Sequence, residues 1–68
     1  MRNYQGLFEE IDSCTAIILN AEKRLAVETD PAIRVALTRT RIEALSSRAH
    51  LILDLHAMST ADFLSIAA

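Results

Sequence analysis

The chain has 68 residues, with one cysteine, one glycine, one proline and no tryptophan. Each scarcity excludes something. A single cysteine, Cys14, rules out a disulfide within the chain, and a lone thiol fits a reducing compartment. One glycine and one proline are too few for a linker or a turn-rich β fold. Aromatics make up 4% of residues, so the apolar content is nearly all Leu, Ile, Ala and Val. The net charge is −2 with no basic tail, which argues against nucleic acid as the main partner. The stretch MRNYQGLFEEID lacks the apolar centre of a signal peptide. No window reaches the roughly 18 uncharged apolar residues of a spanning helix. A soluble, cytosolic protein is therefore expected.

Hydrophobic residues make up 51% of the chain. Ala and Leu favour helix, and no β-branched run points to sheet. Residues 1–68 are read as a single domain. A chain this short buries only about 60% of its unfolded surface, so it needs outside help. Disulfides are excluded and no metal cluster is in view. What remains is a protein partner.

One strong punctuation mark stands mid-chain, in Glu28 to Pro31. Asp30 suits an N-cap, where its carboxylate accepts backbone N–H bonds, and Pro31 suits the first helical position. The spacing predicts helices over 7–27 and 31–58. A short turn makes them antiparallel neighbours, so the expected fold is all-α, a two-helix hairpin. After Met58, Ser59 and Asp62 form a capping-box pattern. Two readings of the tail stay open: a separate short helix over 60–67, or continuation of the second helix.

The first helix has one clear stripe. Leu7, Ile11, Cys14, Ile18, Ala21 and Leu25 recur at alternating spacings of four and three, as in a coiled-coil seam. Tyr4, Phe8, Leu19 and Ala26 widen it on one side. The second helix has two apolar groups at about 100° per residue. One holds Ile33, Leu37, Ala44, Leu51, Leu55 and Met58. The other holds Val35, Ile42, Leu45, Ala49, Ile52 and Leu53. Arg34, Arg41 and Arg48 run between them, seven apart. A lone hairpin covers one face of each helix, so one group is left in water. Such a patch marks an interaction site.

Periodicity alone does not decide which group meets the first helix. The working assignment gives Leu37, Ala44, Leu51, Ile52, Leu55 and Met58 to a partner. It places Ile42, Leu45 and Ala49 with the stripe of the first helix in the hairpin core.

No residue cluster calls for catalysis or a cofactor. His50 and Asp54 share a face but supply only two ligands, too few for zinc. Cys14 sits at a seam position, where a free thiol packs as a small hydrophobe. There is no phosphate loop, zinc-protease motif or nucleophile elbow. The chain is expected not to be an enzyme and to take no small-molecule substrate. Arg39 and Arg41, with Arg34 and Arg48, are the only basic concentration. Glu9, Glu10, Asp12, Glu22 and Glu28 on the first helix and turn can neutralise them.

The segment Arg41 to His56, RIEALSSRAHLILDLH, resembles the small co-chaperones of the type III secretion needle subunit, the YscE/EscE type. Ile42, Glu43, Ala44 and Leu45 match that family's Leu-Glu-Ala/Ser element. Leu51, Ile52 and Leu53 match the aliphatic run after it. The resemblance covers about residues 4 to 57. It implies a virulence-associated protein-transport role without catalysis. The hairpin would pair with a larger TPR-like chaperone, and the pair would keep the needle subunit soluble and unpolymerised. The competing reading is a homodimeric four-helix bundle that regulates by binding RNA or DNA.

Overall fold

The computed structural model describes residues 3–67; Met1, Arg2 and Ala68 of the expected 1–68 unit lie outside it. Two helices, α1 (Tyr4–Leu25) and α2 (Pro31–Ala67), pack antiparallel as a hairpin. The described chain measures 57 × 19 × 15 Å. Thirty-seven helical residues rise about 55 Å, so α2 alone sets the long dimension. The cross-section is two helices wide and one helix thick. Neither helix has a second neighbour.

Local chemistry explains the ends. The Asn3 side chain accepts a 2.7 Å bond from the Gly6 N–H, so α1 starts a turn earlier than the apolar stripe predicts. The chain's only glycine serves that cap: a Cβ at Gly6 would lie 3.2 Å from Asn3 Oδ1. α1 ends at Leu25, two residues before the expected Val27. Its last carbonyls are taken by chain reversal, with the Glu28 N–H bonding the Arg24 carbonyl at 3.0 Å. Arg34 Nη1 then donates to the Leu25 and Glu28 carbonyls, each at 2.8 Å. A cation thus sits at the negative end of the α1 dipole.

The start of α2 agrees with the expectation. Asp30 Oδ1 accepts from the Ala32 N–H at 2.9 Å and the Ile33 N–H at 3.4 Å, and Pro31 occupies the first helical position. Glu28 Oε1 accepts from the Thr29 and Asp30 N–H groups, which ties the turn together. Loss of an Asp N-cap costs about 1 kcal/mol. Asp30→Ala is therefore expected to lower the melting midpoint by about 4–8 °C, read by circular dichroism.

The far end resolves the tail. α2 runs through Ser59 without a break, so there is no separate helix over 60–67. The capping pattern is not used as a cap. Tyr4 Oη donates to Asp62 Oδ2 instead, which joins the start of α1 to the end of α2.

The core is thin. Leu7, Ile18 and Ala21 of α1 are buried, as are Leu37, Ala44 and Leu51 of α2. Among the described residues, only Leu7 is fully enclosed, at 0% exposure. Ile11, Cys14 and Leu25 continue the α1 side half-buried, and Leu55 and Met58 continue the α2 side.

Candidate interaction surface

The seam between the helices has two rows on α2. One is apolar: Leu37, Ala44, Leu51 and Met58. The other begins as arginine: Arg34, Arg41, Arg48 and then Leu55. Arg41 Nε pairs with Glu22 Oε1 at 3.0 Å, and Arg48 Nη1 donates to Thr15 Oγ1 at 3.3 Å. The step of seven from Arg41 to Arg48 along α2 is matched by a step of seven back along α1, from Glu22 to Thr15. The arginine stripe is thus part of the covered seam and not a divider between two faces. Its stems cover apolar surface while the charged heads reach polar partners. The Arg41–Glu22 pair is well exposed, worth about 0–1 kcal/mol, so it fixes register more than stability.

This register corrects the working assignment. Leu37, Ala44 and Leu51, given to a partner, are buried against α1. Leu55 and Met58 lie half-buried on the same seam. Ile42 and Ala49, given to the hairpin core, are exposed, Ile42 at 57%. Leu45 is half-buried at the margin. Ile52 keeps its place among the available residues, at 48% exposure. The physical reason is polar. With the Leu37–Ala44–Leu51 row facing α1, Arg34 reaches the terminal carbonyls, Arg41 reaches Glu22 and Arg48 reaches Thr15. Rotating α2 to bury Ile42 and Ala49 would break all three contacts.

What is left uncovered is itself a seam. Val35, Thr38, Ile42, Leu45, Ala49, Ile52, His56 and Ser59 alternate in steps of three and four. The row is displaced by one residue from the covered seam, about 100° around the helix. One shallow groove on it is lined by Val35, Thr38, Arg39, Ile42 and Glu43. Another crosses to α1 and is lined by Tyr4, Phe8, Ile52, Leu55, His56 and Ser59. That second groove puts the widened side of α1 and the uncovered seam of α2 on the same flank. Beyond the start of α1, Phe63, Leu64 and Ile66 are also exposed. The three-and-four spacing was visible in the sequence. Its aliphatic members all belong to the second apolar group of α2, and polar Thr38, His56 and Ser59 complete the row.

Other groups are placed as follows. Among the described residues, no three His, Cys, Asp or Glu side chains come together to hold a metal ion. Cys14 is a free thiol, half-buried in the seam. His50 Nδ1 lies 2.8 Å from the Ser46 carbonyl oxygen. The Tyr4 phenol is pushed above its ordinary pKa, chiefly by its hydrogen bond to Asp62. No described helix is long and apolar enough to cross a membrane. The chain matches no family model, no curated protein and no solved structure.

Proposed function

We propose that this chain is a protein-binding hairpin, a cytoplasmic co-chaperone that pairs with a larger helical-repeat chaperone in a bacterial type III secretion system. The observation that carries the binding role is the uncovered seam of α2. A rod one helix thick leaves Val35, Ile42 and Ile52 about half exposed, so each forgoes about half of the roughly 1.5–3 kcal/mol that full burial gives. That sum rivals the whole stability of a chain this size. A partner that covers the seam stabilises the hairpin by mass action.

The secretion system comes from the resemblance of Arg41 to His56 to the needle co-chaperones. In that setting the pair would hold a polymerising helical subunit as a soluble monomer, which takes a complementary apolar groove. Three of the four basic groups behind a nucleic-acid reading are already held within the hairpin. Arg34, Arg41 and Arg48 are engaged by α1 and the turn. The test is affinity purification of the tagged chain from its native cells. A helical-repeat chaperone and a needle-sized subunit should elute in one complex. Elution with nucleic acid, or with neither protein, overturns the proposal.

A further inference from the structure

We infer that the uncovered seam of α2 is also self-complementary, and that without another partner it is closed by a second copy of this chain laid antiparallel. The inference concerns the chain alone and does not rest on the secretion reading.

The seam's own order carries it. In an antiparallel helix pair, knobs from one row of the repeat face the other row of the neighbour. One alignment sets Ile42 against Ile52 of the second copy and Leu45 against Ala49. The same alignment sets Thr38 against His56, polar against polar, and Val35 against Ser59 at the ends. Two-fold symmetry repeats every layer. Sliding one copy by seven residues one way sets Leu45 against His56 and Ile42 against Ser59. Sliding it the other way sets Val35 against Ile52, Ile42 against Leu45 and Thr38 against Ala49, but leaves only six of the eight seam positions paired. The favoured register therefore keeps all eight positions paired, with the aliphatic layers at the centre and Val35 against Ser59 as its mismatch at the ends.

Charge and area agree with that occupant. No Asp, Glu, Lys or Arg stands on the seam from Val35 to Ser59, so like copies do not repel across it. The covered and uncovered seams lie about 100° apart around α2, near the right angle of a four-helix bundle. Closing α2 on α2 also brings the α1 flanks together. Phe8 and Leu19, exposed at 48% and 59%, lie on that flank. The overlap from Val35 to Ser59 is about 37 Å long. With a helix width of about 10 Å it covers roughly 400 Å² per copy, and the α1 flanks bring the total toward the 1,200 Å² of a specific interface.

Sedimentation equilibrium of the full chain tests this. The wild type should weigh two chains of 7.5 kDa at high concentration. Ile42→Asp and Ile52→Asp place an unpaired charge in each copy of the interface. Each should weaken the dimer by at least about 100-fold at unchanged helicity. Orientation is read by cross-linking in a Cys14→Ala background. Chains carrying Ile42→Cys mixed with chains carrying Ile52→Cys should form a disulfide dimer. Ile42→Cys alone should not, because the two residues 42 stand about 15 Å apart, beyond the roughly 7 Å Cα limit of a disulfide. A wild type that stays monomeric at its solubility limit overturns the inference. So does Ile42→Cys linking to itself as readily as to Ile52→Cys.

Discussion

Leu7→Ala is expected to unfold the hairpin or leave it barely folded at 25 °C. Leu7 is the one fully enclosed side chain among the described residues, at 0% exposure. It sits in the open half of the rod, where α1 has only α2 to pack on. Truncating a buried Leu costs about 2–5 kcal/mol, the lost transfer energy plus the cavity left behind. A single core in a chain this small supplies about 3–5 kcal/mol in all. The loss and the reserve are of one size, so the midpoint should fall by about 10 °C or more, or the cooperative transition should vanish. A midpoint within a few degrees of wild type would mean that Leu7 is not the anchor of the core. Circular dichroism melts give the answer directly.

The second large effect is on binding. Ile52→Asp is expected to abolish co-purification with the proposed helical-repeat chaperone while the hairpin keeps its helicity. Ile52 lies in the groove shared by Tyr4, Phe8 and Leu55, at the join of the two helices. It is 48% exposed, so the carboxylate stays hydrated in the free chain. In a complex the same carboxylate is desolvated without a partner. Truncated or charged central contacts commonly cost 2 kcal/mol or more, about 30-fold or greater in affinity. Retention of wild-type complex yield by Ile52→Asp would place the partner elsewhere on the rod.

The sequence made some elements readable and hid others. The turn was readable because Asp30 and Pro31 act locally, through an N-cap and a fixed φ. The α1 stripe was readable because it has one apolar face. The covered face of α2 was not, because its two apolar groups are alike in size and about 100° apart. Long-range polar contacts decide between them: Arg41 with Glu22, Arg48 with Thr15, and Arg34 with the end of α1. The same holds at the tail. Ser59 and Asp62 read as a cap, yet Asp62 meets Tyr4, 58 residues away. Periodicity does not mark the Asn3 cap, because the apolar stripe begins only at Leu7, a turn later.

α2 has one covered and one uncovered seam, one residue apart. The most direct test is circular dichroism of Leu51→Asp and Ile52→Asp, at a dilution that keeps the chain monomeric. Leu51 is buried against α1 and Ile52 is not. Leu51→Asp should lose the cooperative helical transition, since an unpaired buried charge costs about 3–5 kcal/mol. Ile52→Asp should keep the wild-type spectrum and midpoint. Equal effects, or the reverse order, would contradict the account.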